Sequence, residues 1–335
     1  MNHFSSRGAK SLHDLIPRPG LVALAIAGPA LISFPAQSQA ATTERFTIRE
    51  PAWVASVTFS PDGKSLAIGY ADNTARLRNA QNGALVHAFA GHGDYVASVA
   101  FSPDGHTLAT GSYDHSAGLW DIGTQKRRHS LNGHRGAVLS VVFSPNGKLL
   151  ATASLDGSIK LWDSTNGSLQ GTLAGHKSWV NSLAIYRDGV TLVSGSSDGT
   201  VKLWDLPRLA LKTTLSATEA EVRSVAVSPD GKSLIAGIRY GVIKVWREGS
   251  EQLNFKAHES DVWSVAFTPD GKMFVSGNGD WNKPGQVKLW DAATGQLRAT
   301  LEANGEVLSV AVSPDGKAIA AGSGDQSVRV WSVGD

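Results

Sequence analysis

Three sets of histidine, aspartate and tryptophan stand at matched spacing: His92, Asp114 and Trp120; His134, Asp156 and Trp162; His176, Asp198 and Trp204. In each, the Asp follows the His by 22 residues and the Trp by 28. A fourth set, His258, Asp280 and Trp290, keeps the first interval and carries an insertion before the Trp. Hydroxyls accompany the first three pairs: Thr110 or Ser112, Thr152 or Ser154, Ser194 or Ser196. A His–Asp pair beside a hydroxyl suits nucleophilic catalysis. The same groups also suit a buried relay, because an indole N–H only donates and an imidazole links a carboxylate to a hydroxyl. Four similar sets favour the relay, since an enzyme needs one site and a repeated fold needs many supports.

Other chemistries lack their residues. The chain has no Cys, which excludes disulfides, thiolate zinc sites, iron–sulfur ligation and a cysteine nucleophile. It contains no G-x-S-x-G, H-E-x-x-H, C-x-x-C-H or P-loop motif. No cofactor is implied.

The elements that must position the four sets repeat with them. The turn Ser60-Pro61-Asp62-Gly63 recurs as SPDG at 102, SPNG at 144, YRDG at 186, SPDG at 228, TPDG at 268 and SPDG at 313. The residue before a second turn is Arg78, Trp120, Trp162, Trp204, Trp246, Trp290 and Trp331, at intervals of 42, 42, 42, 42, 44 and 41. Each unit reads as four short strands of alternating apolar residues separated by turn chemistry; in the third they are 138–143, 148–154, 158–162 and 168–173. No unit buries its own face, so radial stacking must make the core. The last unit stops after a third strand, and an orphan strand, 44–50, precedes the first. That strand is expected to become the outer strand of the seventh blade and close the ring.

These motifs resemble the WD-repeat (WD40) family of seven-bladed β-propellers, over residues 44–335. The resemblance implies an all-β propeller in which His, Ser/Thr, Asp and Trp form a buried network in each ideal blade; the four sets above match it. Blade one departs with Glu50, Asp72 and Arg78, blade five with Thr218 and Tyr240, and blade seven with Ala303 and Asp325.

The resemblance also implies that the starts of the inner strands and the turns after the second strands surround one end of the central channel. Residues there that differ between copies are free to serve a partner. They give an uneven ring: Trp53, Tyr95, Tyr113 and Trp179 on blades one, two and four, and Glu221, Arg223, Arg239, Asp261, Trp263 and Glu306 on blades five to seven. Trp, Tyr and Arg dominate binding hot spots. Trp281, on an extension before Gln286 in blade six, joins them as a candidate. The candidate partner-binding residues are therefore Trp53, Tyr95, Tyr113, Trp179, Arg223, Arg239, Trp263 and Trp281.

The first 40 residues read as an export signal: Arg7, Lys10 and Arg18, an apolar run from Leu21 to Phe34, then Ser38-Gln39-Ala40. The run is shorter than the ~20 residues a spanning helix needs, and Pro29 interrupts it. Cleavage is expected after Ala40. The formal charge of +2 then becomes neutrality, with 28 basic and 28 acidic residues, which argues against nucleic acid. The reading is an exported, bacterial-type, periplasmic or secreted propeller: a monomeric, non-catalytic scaffold for a protein or peptide, with no membrane span in the mature chain. The alternative is a periplasmic propeller enzyme, a lactonase-like hydrolase or oxidoreductase. It would hold a metal or cofactor on the channel axis with Asn181, Glu221, Asp261 and Glu306.

Overall fold

An extra residue in each innermost strand sets the geometry of every unit. In the third unit Val138 pairs with Ser154 and Ser140 with Ala153, so Leu139 lacks a cross-strand partner. This β-bulge keeps Val138, Val141 and Phe143 on the buried face although they do not alternate strictly. The same register shift follows Val54, Val96, Val180, Val222, Val262 and Val307. The protein is described by a computed structural model, which covers residues 42–216, 219–280 and 283–334. The proposed signal at 1–40, Thr218 and Trp281 lie outside the described residues.

The strands form seven antiparallel four-stranded sheets. Numbering the blades along the chain, their innermost strands are Val54–Phe59, Val96–Phe101, Val138–Phe143, Val180–Ile185, Val222–Val227, Val262–Phe267 and Val307–Val312. Each innermost strand contacts the next, and the seventh contacts the first, so the blades close a ring. The seventh blade is completed by Thr42–Arg49, which pairs with Ser327–Val333 from Thr42↔Val333 to Arg49↔Ser327. The expected closure is thus observed, and it joins the two ends of the described chain. The ring is a seven-bladed, all-β propeller.

Hydrogen bonds stitch neighbouring blades together near the axis. The backbone N–H of Val99 donates to the Ser56 hydroxyl, Val141 to Ser98, Leu183 to Ser140, Val225 to Ser182, Val265 to Ser224, Val310 to Ser264, and Val57 to Ser309. The circuit is complete. The signal for it is plain in the sequence: a Ser two residues after the first Val of all seven innermost strands. The sheets meet closely enough that a Cβ on Gly195 would lie 2.6 Å from Val222 Cγ1.

Because successive strands are antiparallel, each blade has two distinct ends. The start of the innermost strand and the turn between second and third strands share the channel-entrance end. The first turn and the turn between third and outer strands share the opposite end.

Candidate functional site

The paired imidazoles and carboxylates form relays within blades. In blade two, His92 Nδ1 lies 2.8 Å from Asp114 Oδ2 and Nε2 lies 2.7 Å from Thr110 Oγ1. The Trp120 indole donates to Thr110 Oγ1 at 2.9 Å. An acceptor-only carboxylate requires a proton on Nδ1, so Nε2 accepts the Thr110 hydroxyl proton. Blade three repeats this with His134, Asp156, Thr152 and Trp162 at 3.0, 2.8 and 2.9 Å. Blade four repeats it with His176, Asp198, Ser194 and Trp204 at 2.8, 2.7 and 2.8 Å. The other candidate hydroxyls, Ser112, Ser154 and Ser196, donate instead to the carbonyls of Asp94, Gly136 and Ser178.

These hydroxyls are not poised for attack on a substrate. Thr110, Thr152 and Ser194 are fully buried, and each is held between an indole and an imidazole. Burial pushes the His92, His134 and His176 imidazoles below their usual range, and the adjacent carboxylates offset this only in part. Burial pushes the Asp198 carboxyl up, but hydrogen bonds from Thr200, the Lys177 amide and His176 outweigh it and hold it at about 2.

Blade six corrects the expected fourth set. His258 Nε2 lies 2.7 Å from Ser276 Oγ, to which the Trp290 indole donates at 2.8 Å. Asp280 does not complete the relay: among the described residues, His258 Nδ1 is buried with no partner within hydrogen-bond geometry. The reason is the longer connection. Asp280 closes a bridge with Lys283, whose N–H donates to the Asp280 carbonyl, while the Asn278 side chain takes the Gln286 N–H. Burial, reinforced by the Lys288 ammonium, pushes His258 down to about 3.

Blade one fills the same space with ions. The Glu50 side chain is 1% exposed, with Arg78 Nε at 2.7 Å and Arg76 at 3.6 Å. The Tyr70 hydroxyl donates to Glu50 at 2.7 Å, and Arg76 lies 4.2 Å from the Tyr70 ring centroid and pairs with Asp72. The sequence reading found Glu50, Asp72 and Arg78 but missed Tyr70 and Arg76. In blade seven, Arg329 reaches Glu44 of the closing strand at 3.5 Å and Asp325 at 3.8 Å.

The channel-entrance rim divides into two chemistries. On blades one, two and four, Trp53, Tyr95, Tyr113 and Trp179 are half-buried. Tyr95 and Tyr113 pack with ring centroids 5.8 Å apart, and the Tyr113 N–H donates to the Tyr95 carbonyl. Burial, with Asp94 and Tyr95 adding to it, pushes the Tyr113 hydroxyl up to about 12.

On blades five and six, Glu221, Arg223, Arg239 and Asp261 form a closed quartet. Arg223 lies 2.7 Å from Glu221 and 3.3 Å from Asp261; Arg239 lies 3.0 Å from Glu221 and 3.9 Å from Asp261. The Arg223 guanidinium sits 4.6 Å from the Trp263 ring centroid, and the Trp263 indole donates to the Gly279 carbonyl at 3.3 Å. Arg223 is 8% exposed. The quartet therefore satisfies its own charges and buries Arg223.

Three of the four residues weighed as axial ligands are engaged elsewhere. Asn181 donates to Ser197 and to the Val222 carbonyl, and Glu221 and Asp261 face guanidinium groups. Among the described residues no group of three or more His, Asp or Glu converges as a metal site. None of the described helices is long and apolar enough to cross a membrane.

Against known families, the WD domain, G-beta repeat description matches residues 83–121, 125–163, 167–205, 210–247, 249–291 and 295–332. Each match starts at the outer strand of one blade and runs through the inner three of the next. The Anaphase-promoting complex subunit 4 WD40 domain description matches residues 20–99. No match is found among curated proteins.

Proposed function

The chain belongs to the WD40-repeat family, and from that footing we propose that it is an exported, non-catalytic binding module. WD40 propellers typically serve as protein-interaction scaffolds. This one takes a protein or peptide on its channel-entrance face. The observation that carries the reading is the arc of half-buried aromatics, Trp53, Tyr95, Tyr113 and Trp179, beside a charge quartet that is already neutral. Large rings bury much area at little entropic cost, so recognition on this arc depends on shape and apolar contact more than on net charge. The quartet and Trp263 hold the adjacent rim in place.

Site-specific photo-crosslinking in living cells tests the face. A benzophenone side chain at Tyr95 or Trp179 is expected to trap a discrete partner, and the same group at Thr300, exposed on the outer strand of blade six, is not. Equal adducts from Thr300, or none from the rim, would remove the reading. Export is supported by the basic, apolar and small-residue pattern of residues 1–40. N-terminal sequencing of the exported protein is expected to begin at Ala41.

A further inference from the structure

Blade five builds the turn between its second and third strands differently from its neighbours, on the same end as the aromatic rim. In blades one to four and seven a single residue of that turn takes positive φ: Asn73, His115, Gly157, Gly199 or Gln326. The residue before it is always Asp, with ordinary φ. Blade five lacks that Asp, and both Tyr240, at φ 65° and ψ 22°, and Gly241, at φ 79°, are left-handed. A bulky L-residue is strained in that region, where glycine or asparagine is not.

The turn does not need the ring. Its backbone is pinned to the segment entering blade six: the Tyr240 N–H donates to Asp261 Oδ1 at 2.8 Å, and the Ala257 and His258 N–H groups donate to the Gly241 carbonyl at 2.8 and 3.1 Å. Glycine at 240 would make the same bond without strain. The Tyr240 side chain is instead 59% exposed, the largest fraction among the exposed large hydrophobic residues described. The Arg239 guanidinium lies 5.0 Å from its ring centroid and is itself fixed by Glu221. The charge quartet thus holds the Tyr240 backbone through Asp261 and one side of its ring through Arg239. A strained turn that presents an aromatic ring to solvent costs the fold stability, and a partner that encloses the ring gives it a use.

We propose that Tyr240 is the anchor of the docking face, and that the partner is a folded protein whose apolar cleft encloses its ring. This rests on the channel-entrance face being the docking surface. An exposed ring on a rigid turn is a convex feature, so its complement is concave, and a short linear peptide offers no cavity. The cleft is apolar because Glu221, Arg223, Arg239 and Asp261 already satisfy one another and leave no net charge beside the ring for a partner to match.

Fluorescence anisotropy of the full chain tests this, with the labelled partner trapped through Tyr95 or Trp179 as the probe. Tyr240→Gly and Tyr240→Asn both suit the left-handed turn, and each is expected to weaken binding at least about tenfold while the melting temperature holds or rises. Tyr240→Phe keeps the ring and is expected to stay within about threefold. A synthetic peptide spanning the crosslinked segment of the partner is expected to bind at least about tenfold more weakly than the folded partner. Four results overturn the proposal and leave the docking face standing: full affinity in Tyr240→Gly, a melting temperature that falls in both turn variants, a loss in Tyr240→Phe equal to that in Tyr240→Gly, or a peptide that binds as tightly as the whole partner. Failure to trap any partner at Tyr95 or Trp179 removes the docking face and the proposal together.

Discussion

Blade one and blade six leave the family's His–Asp relay in opposite ways. In blade one a carboxylate, two guanidinium groups and a phenol occupy the space, and the Glu50 side chain is 1% exposed. In blade six the imidazole, hydroxyl and indole remain, but among the described residues His258 Nδ1 is buried without a hydrogen-bond partner. The first replaces a relay that carries one carboxylate charge with a set of opposite charges that need one another. The second keeps three members and forgoes the fourth. The blade tolerates either solution because its register and the inter-blade serine circuit do not depend on the relay.

The largest effect should come from blade one. Glu50→Gln leaves Arg76 and Arg78 without their buried anion, and removing one partner of such a pair costs about 3–5 kcal/mol. Asp280→Asn in blade six should cost less than about 0.5 kcal/mol, since Asp280 completes no relay. Urea unfolding of the two variants checks the contrast. Equal losses would show that Asp280 supports His258 after all.

Next comes the hydroxyl of an intact relay. Thr152→Val preserves shape but strips the partner from the Trp162 indole and from His134, at about 1–3 kcal/mol for each orphaned group. Ser276→Ala should lose a similar amount in blade six, because the same two bonds end on Ser276.

Acid sharpens the comparison further. An unfolded histidine takes a proton near 6.5, whereas folded His258 resists until about 3. The unfolded chain therefore binds more protons in that window, so stability falls as pH falls from 6.5 toward 3. His92, His134 and His176 act in the same direction. Asp198, held at about 2 against an ordinary 3.8, stabilises above 3.8 and loses that contribution as pH falls toward 2. Replacing His258 by Gln should flatten the slope between pH 6.5 and 3, measured as urea midpoint against pH. An unchanged slope would place the acid sensitivity elsewhere. The smallest effect belongs to one link of the circuit: Ser309→Ala should cost about 0.5–1.5 kcal/mol by the same assay.

Much of this was legible in the sequence. The spacing of His92, Asp114 and Trp120 marked the relays of blades two to four, and the missing last strand pointed to closure by residues 44–50, observed as the pairing of Thr42–Arg49 with Ser327–Val333. Which hydroxyl joined each relay was not legible, because Thr110 and Ser112 both lie near His92 in sequence register; only the structure shows that one meets the indole and the other a carbonyl. Asp280 misled because a 22-residue interval fixes chain length and not the path of a longer turn. The pairing of Arg223 and Arg239 with Glu221 and Asp261 was not legible, because it spans two blades and single-blade patterns do not reveal it. The serine circuit was visible in every copy and is meaningful only once neighbouring blades are side by side.

A division of labour separates groups that hold the ring from groups that meet a partner. Its most direct test is the affinity, per folded molecule, of the partner trapped through Tyr95 for two variants. Trp179→Ala should weaken binding at least about tenfold with an unchanged melting temperature. Thr152→Val should lower the melting temperature and leave affinity intact. Full affinity in Trp179→Ala, or lost affinity in folded Thr152→Val, would contradict the division.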